Sequence, residues 1–591
     1  MMRCVVSVVL LLPALLAAGW EFVPEGGEAM LPADPIASMR LSAAAETASG
    51  EIVSVEGMPF ERAYRVRITR APEQVGGVQI LARTTGEIRR DDVLLLSLFV
   101  RGSTAANESG EAHGAVYLQR NGGSYEKLIR SAFSAGSQWK QLLIPSRAPF
   151  PLASGQHEIT LHLGYLRQTV EVGGLGLVNY RNAKTVAELP KTRIGYEGAA
   201  PDSPWRAEAA ARIEEIRKAD LRVSVEHAAG GPAAGVEIRV LQKRHRFPFG
   251  SAVAADALLA PGENGERYRE TIRTWFNKAV LENDLKWPQW EANPQKALDA
   301  LEWMREHGIP VRGHTLVWPG WKRMPADVQQ LAGDPEALRS RVLRHIQKEV
   351  PAVRGKVTDW DVINEPYSNT DLQKILGEQE MARWFETARE QDPWAALYIN
   401  DFGILSNGGN DRRHQDHYFE TIGKLIEWGA PVQAIGMQGH FGAALTPPTR
   451  LWQILDRFAT HGLPVHITEF DIDIDDEEAQ AGYTRDFLTA VFAHPSVNGF
   501  LMWGFWEGRH WRPRGAMFRR DWSLKPNGRV FRDLVFREWW TDVRGRTGAG
   551  GDFQTRGFLG DYEVEAVLDG RKASTRVRLE PGGSAVTLKL P

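Results

Sequence analysis

At 591 residues the chain is too long for one hydrophobic core, so two to four domains are expected. Its 71 basic and 74 acidic residues leave a formal net charge of −3, which excludes the basic footprint of a nucleic-acid or anionic-lipid binder. The single cysteine is Cys4; without the leader described next, the chain has neither a disulfide nor a thiolate metal site.

Met1-Met2-Arg3 precedes an apolar stretch from Cys4 to Ala18, broken by Pro13 and closed by the small residues Ala17, Ala18 and Gly19. A basic start, an apolar run and a small-residue end describe a secretory signal over 1–19. The run falls short of the ~20 residues that a membrane span needs, and no later segment is apolar enough to supply one. Cys4 precedes the run, which places it badly for a lipid anchor. The expected product is a soluble, secreted protein, extracellular or periplasmic/cell-surface in a Gram-negative bacterium.

Residues 20–183 read as an all-β jelly-roll sandwich. Tyr64-Arg65-Val66-Arg67-Ile68, Val93 to Phe99 and His157 to Leu163 are short strands set between Gly, Ser, Asn and Pro clusters, and Glu171 to Tyr180 forms the last. Residues 184–244 read as a linker, a helix from about Trp205 to Lys218, and a β-hairpin. Its strands are Leu221–Val225 and Val236–Val240, with Gly230 to Gly235 as the turn.

From Phe247-Pro248-Phe249-Gly250-Ser251-Ala252 onward, apolar strand-like segments recur at 278–282, 310–316, 357–364, 396–400, 432–438, 464–469 and 498–504, with helical stretches between. Eight strands alternating with helices over 245–542 predict a closed (β/α)8 TIM barrel, in a chain of overall α/β class. The tail, 543–591, alternates again in Tyr562–Val567, Thr575–Leu579 and Val586–Leu590. This small C-terminal β segment is marginal on its own and is expected to pack on the barrel or join the 221–241 hairpin.

Two of the barrel strands end in a glutamate: Trp360-Asp361-Val362-Ile363-Asn364-Glu365 and Val465-His466-Ile467-Thr468-Glu469. Taken singly, each reads as a helix cap or an ion-pair partner. Together, at the face where barrels carry catalytic groups, two carboxylates form the pair that glycoside hydrolysis uses. Other strand ends carry Glu282-Asn283-Asp284, His314, Asn400-Asp401, Gln438-Gly439-His440, Asp471 and Trp503, a set of hydrogen-bonding side chains and indoles suited to a polyhydroxylated ligand. Of the 20 tryptophans, 17 lie at or after Trp275, and an indole face stacks on a sugar ring as readily as it fills a core.

The motifs Glu282-Asn283-Asp284-Leu285-Lys286-Trp287, Gly313-His314-Thr315-Leu316-Val317-Trp318, Trp360 to Glu365, Gln438-Gly439-His440 and Ile467-Thr468-Glu469-Phe470-Asp471 resemble glycoside hydrolase family 10, the retaining endo-β-1,4-xylanases. Trp503 with Trp511, and Lys525-Pro526, extend the match over about 245–540. His245 to Gly250 and the lead-in before it look like the plant-type and related bacterial branch. The resemblance implies that Glu365 is the general acid/base and Glu469 the nucleophile. It also implies that His440 bonds to Glu469, that Asp471 orients His440, and that Asn364 binds a sugar 2-hydroxyl. By the same resemblance Glu282, Asn283, Lys286, His314, Trp318, Gln438, Trp503 and Trp511 contact substrate. The substrate it implies is xylan or a related plant β-1,4-glycan, taken by a monomer without nucleic acid, membrane or cofactor.

Three departures from the family pattern stand out. Pro319-Gly320-Trp321 replaces the usual His, Ser and Gln on the glycone side, where the indole of Trp321 would offer a flat apolar wall. Phe402 stands for a tyrosine, and Trp506, Arg509 and His510 crowd the segment between Trp503 and Trp511. A related glycanase for another β-1,4-glycan, or a non-catalytic carbohydrate-binding protein, are the competing readings. The acidic run Asp471 to Glu478 fails the calcium-loop spacing and is expected to lead into a helix from Glu477, with no metal. The sandwich resembles the jelly-roll carbohydrate-binding modules that accompany this family, with Tyr117, Tyr125, Trp139 and Tyr165 as candidate sugar platforms.

Overall fold

A computed structural model describes residues 21–591 apart from 73, 106–110, 123–124 and 193. The leader expected over 1–19 lies outside the described residues. Among these, no helix is long and apolar enough to cross a membrane. The chain divides into two compact units, one running to Gly195 together with Gly442–Leu445, the other comprising Tyr196–Phe441 and Thr446–Pro591.

The first unit is an antiparallel sandwich of β1 (Glu28–Ala29), β2 (Arg40–Ser42), β3 (Ala48–Ser54), β4 (Arg62–Ile68), β5 (Gln79–Arg83), β6 (Val93–Ser103), β7 (Ala112–Arg120), β8 (Lys127–Ala135), β9 (Lys140–Arg147), β10 (His157–His162) and β11 (Gln168–Asn179). One sheet runs β3-β4-β11-β6-β9 with β1 beside β11; the other runs β2-β5-β10-β7-β8. Alternate residues such as Val66, Ile80, Leu96, Leu118, Ile159 and Val172 fill the space between them, which is how a period-two pattern becomes a core. β6 is apolar on both faces because Val93 and Leu95 meet Leu143, Tyr180 and Leu189 on its far side. For that reason Val186 and Leu189, in the stretch expected as a linker, pack with the sandwich.

In the second unit β12 (Lys218–His227) and β13 (Glu237–His245) were expected to pair as a hairpin. They do not. β12 lies between β23 (Asp552–Phe558), antiparallel, and β26 (Ser584–Leu590), parallel. β13 lies between β22 (Asp542–Arg546) and β24 (Gly560–Leu568), which pairs in turn with β25 (Arg571–Leu579). The C-terminal strands supply the hydrogen-bonding partners. The apolar rows Leu221, Val223, Val225 and Ile238, Val240 share one core with Tyr562, Val564 and Leu588. Each strand buries one face only, so two facing sheets satisfy the pattern that a hairpin would leave half exposed. Arg217 ties this small sandwich to the barrel by donating to the carbonyls of Phe492, His494 and Val497.

The barrel closes through eight parallel strands: β14 (Phe249–Val253), β15 (Lys278–Leu281), β16 (Val311–Val317), β17 (Val357–Asn364), β18 (Ala396–Asp401), β19 (Ala434–Phe441), β20 (Val465–Ile472) and β21 (Val497–Met502). β14, β16, β19 and β20 are buried along their whole length, as strands covered by helices outside and by packed side chains inside must be. The acidic run after β20 leads into the helix Glu477–Phe492, whose N-cap Asp476 accepts from Ala479 N at 3.0 Å. Arg514 takes Asp473 and Asp475, and Arg519 takes Glu477, so these carboxylates have cationic partners.

Candidate active site

Glu365 follows β17 directly and turns the chain with a φ of 54°, a conformation unusual outside glycine that costs about 1–3 kcal/mol. Its backbone N–H donates to the Asn400 carbonyl of the neighbouring β18 at 2.8 Å, which fixes the turn. The carboxylate is buried and accepts from Trp318 Nε1 at 3.1 Å on one oxygen and Gln438 Nε2 at 3.1 Å on the other. β16, β17 and β19 thus converge on one side chain.

Glu469, three strands along on β20, is equally buried. Its Oε1 accepts from Asn400 Nδ2 at 2.9 Å and its Oε2 lies 3.1 Å from His440 Nε2. His440 Nδ1 is 3.0 Å from Asp471 Oδ2, giving a chain Glu469–His440–Asp471 across two adjacent strands. Burial works against an imidazolium at His440, but Asp471 and Glu469 outweigh it and raise the pKa to about 9. Burial likewise pushes Asp471 up, yet His440 and Arg512 hold its carboxyl down at about 2. His440 is therefore a charged donor at neutral pH, and a hydrogen bond from a charged donor is stronger than one from a neutral donor.

Asn364 precedes Glu365 on β17 and is completely buried. Its Oδ1 accepts from Asn400 Nδ2 at 2.9 Å, whereas its Nδ2 has no acceptor among the described residues. A buried amide donor without a partner costs about 1–3 kcal/mol until a ligand oxygen meets it. Lys286 donates to Asn283 Oδ1 at 2.9 Å and lies 5.4 Å from the centre of the Trp318 ring. Burial lowers the pKa of Lys286 against the opposing pull of Glu469, Glu282 and Glu365, and burial raises that of Glu282 against Lys286 and Arg509. His314 Nδ1 bonds to Asp361 Oδ2 at 2.9 Å and stands 4.0 Å from Glu469 Oε1. Trp503 presents its ring edge to His314 and His440 at 5.1 and 6.3 Å. Trp511 packs on His440 at 4.7 Å, and its indole N–H goes to Asp471 Oδ2 at 2.7 Å.

Two contributors escaped the sequence reading. Asn400 appeared there only as a polar strand end. In the barrel its side chain bonds Asn364 and Glu469 and accepts from Thr468 Oγ1 at 2.7 Å, so one amide sets the positions of groups on β17 and β20. Asn369, after β17, donates to the Glu365 carbonyl at 3.1 Å and reaches Glu365 Oε2 at 3.5 Å.

Asn369 also explains part of the Pro319-Gly320-Trp321 departure. A Cβ at Gly320 would lie 2.4 Å from Asn369 Oδ1, Asp371 N donates to the Pro319 carbonyl, and Trp321 N donates to Asp371 Oδ2. The altered segment after β16 is clasped to the loop after β17. Contacts some 50 residues apart leave no local signal. The other departures are spent on packing: Trp506 stacks on Trp522 at 4.7 Å, Arg509 pairs with Asp256, and His510 accepts from Arg512 N at 3.0 Å. Phe402 packs its ring on His414.

Residues 238–529 match glycosyl hydrolase family 10. The anti-sigma-I factor RsgI6 of Acetivibrio thermocellus is 33% identical over 427 residues, 71% of this chain and 53% of that protein. Endo-1,4-beta-xylanase 2 of Arabidopsis thaliana is 29% identical over 380 residues, 64% of this chain and 35% of that protein. A beta-1,4-xylanase of Dictyoglomus thermophilum is 32% identical over 259 residues, 41% of this chain and 68% of that protein. The chain thus spans about half of the first of these relatives and about a third of the second. The chain belongs to glycosyl hydrolase family 10.

Proposed function

We propose that the barrel is a retaining endo-β-1,4-xylanase. The observation that carries this reading is the pair Glu365 and Glu469, buried at the carboxyl ends of β17 and β20 and linked to each other through Asn400. Glu469, which takes a hydrogen bond from the charged His440, attacks the anomeric carbon. Glu365 protonates the departing glycosidic oxygen and later takes a proton from the water that cleaves the glycosyl-enzyme bond. Asn364 Nδ2 is the donor for the 2-hydroxyl of the reacting sugar, a contact that strengthens as the oxocarbenium ion develops. Glu282, Asn283, Lys286, His314 and Trp318 hold the glycone side, with Gln438, Trp503 and Trp511 around the bond that is cut. Membership of the family and the similarity to two named xylanases support xylan as the substrate.

The test is turnover of an aryl β-xylobioside by the purified protein, with NMR of the first-formed product. A β-anomer is expected, and early α-anomer excludes double displacement. A second reading, a glycanase for another β-1,4-glycan, draws on the rebuilt Pro319–Trp321 segment. Sugar release from xylan compared with glucan, mannan and mixed-linkage glucan separates the two. We also read the N-terminal sandwich as a carbohydrate-binding domain and the chain as an exported monomer.

A further inference from the structure

The outer face of the five-stranded sheet carries a groove of about 860 Å3, within the size range of small-ligand sites. Cross-strand register sets one row along it: Arg83 on β5, Glu158 on β10, Gln119 on β7 and Lys127 on β8. At about 4.8 Å per strand, that row spans roughly 14 Å. Arg40 on β2 faces Leu81, so Arg83 is its diagonal neighbour on the same face, about 7–8 Å away.

The charges on this face are not balanced internally. Arg40, Arg83 and Lys127 form no ion pair with a described residue, although Glu158 sits directly opposite Arg83. Glu158 instead accepts from the buried Gln119 amide at 3.4 Å. The His162 imidazole adds no further charge at neutral pH, because burial and the Lys127 ammonium lower its pKa. Three cations therefore face one carboxylate that is already engaged. Tyr117 lies beneath Lys127, whose nitrogen is 5.0 Å from the ring centre, and Tyr125 stands 54% exposed at the rim as a stacking face. Lys127 also donates to the Tyr125 carbonyl at 3.1 Å, so what these cations lack is a carboxylate, and a long polar trough of this kind with an aromatic rim matches an acidic sugar chain better than a neutral one.

We propose that this groove binds a uronic-acid-substituted glycan, with the uronate carboxylate held between Arg40 and Arg83 and the sugar chain running along the sheet toward Lys127 and Tyr125. The proposal rests on the reading of the sandwich as a carbohydrate-binding domain and adds the class of glycan.

The experiment is calorimetric titration of the full chain carrying Glu469→Gln with three probes. These are xylohexaose, a xylo-oligosaccharide bearing one glucuronic acid branch, and the same branched sugar after reduction of its carboxyl to an alcohol. The acidic probe is expected to bind on the order of tenfold more tightly than its reduced form, with the gap closing as salt is raised. Arg40→Ala with Arg83→Ala, and Lys127→Gln as an independent second variant, are expected to narrow that gap and leave xylohexaose binding unchanged. Arg67→Ala, exposed on the other sheet, is the control. In the otherwise unaltered chain the groove substitutions are expected to leave aryl xylobioside turnover unchanged, which shows that the protein has folded. If groove variants weaken all three sugars alike, the groove takes neutral glycan and the uronate assignment falls while the carbohydrate reading stands. If they change none, the groove is not a sugar site.

Discussion

The barrel buries charge at its floor and at its mouth and treats it differently in each. At the floor, Arg312 spans Asp359 and Asp361 and stacks on Tyr398 at 4.1 Å, while Lys278 bonds to Asp359 at 2.5 Å. No side-chain nitrogen or oxygen of Arg312, Asp359 or Asp361 lacks a partner. At the mouth, Glu365 and Glu469 are also buried, yet the donor Asn364 Nδ2 and the acceptor Gln438 Oε1 beside them find no partner among the described residues. A closed network stabilises the fold, and an open one keeps its hydrogen-bonding capacity for a ligand. Asp361 joins the two, since it anchors on Arg312 below and orients His314 above.

The largest break in that comparison is Glu469→Gln. Turnover of both activated and natural substrates is expected to fall by about 10⁴-fold or more. Thermal stability is expected to fall by about 1–3 kcal/mol, because the amide has one acceptor oxygen for the two donors Asn400 Nδ2 and His440 Nε2. A rate assay paired with a melting curve checks both halves.

Arg312→Met is the converse case. It leaves Asp361 buried without its cation and is expected to cost about 3–5 kcal/mol in denaturant unfolding. A loss under 1 kcal/mol would mean that the floor is not the closed network described.

Glu365→Ala is expected to lower xylan hydrolysis by about 10²–10⁴-fold while sparing the first step on aryl glycosides with good leaving groups. The opposite pattern for the two glutamates would exchange their roles. Asn400→Ala, which frees both Asn364 and Glu469, is expected to cost about 1–3 kcal/mol of transition-state stabilisation, read as a fall in kcat with little change in KM.

The last effect is one of pH. The His440 pKa is about 9 when folded against an ordinary 6.5, so its stabilising contribution is complete below about 6.5 and is lost as pH rises through about 9. Melting temperature is expected to decline across that window, and His440→Asn should flatten the decline.

The barrel was legible because each of its strands is a short apolar run set between helical stretches, a pattern that repeats eight times. The candidate site was legible in part because functional side chains collect at the ends of those runs. Glu365 and Glu469 stood out as a pair, each closing an apolar run, among other polar residues at strand ends. The hairpin expectation for 221–241 failed because alternation states which face of a strand is buried and not which strand lies beside it. Strands from 542–590, some 300 residues away, supplied the partners.

What the sequence by itself determined is the order of layers: a β-rich region, an eightfold strand–helix alternation with glutamates at two strand ends, and a short β tail. What only the tertiary structure decided is pairing at a distance. Asn400 reaches both Asn364 and Glu469, Gly320 makes room for Asn369 against Glu365, and Arg40, Arg83 and Lys127 share one face. The physical reason is that local periodicity is set by backbone geometry within a few residues. A side-chain contact depends on how whole elements pack, and residues of unremarkable type meet there without any local pattern to announce them.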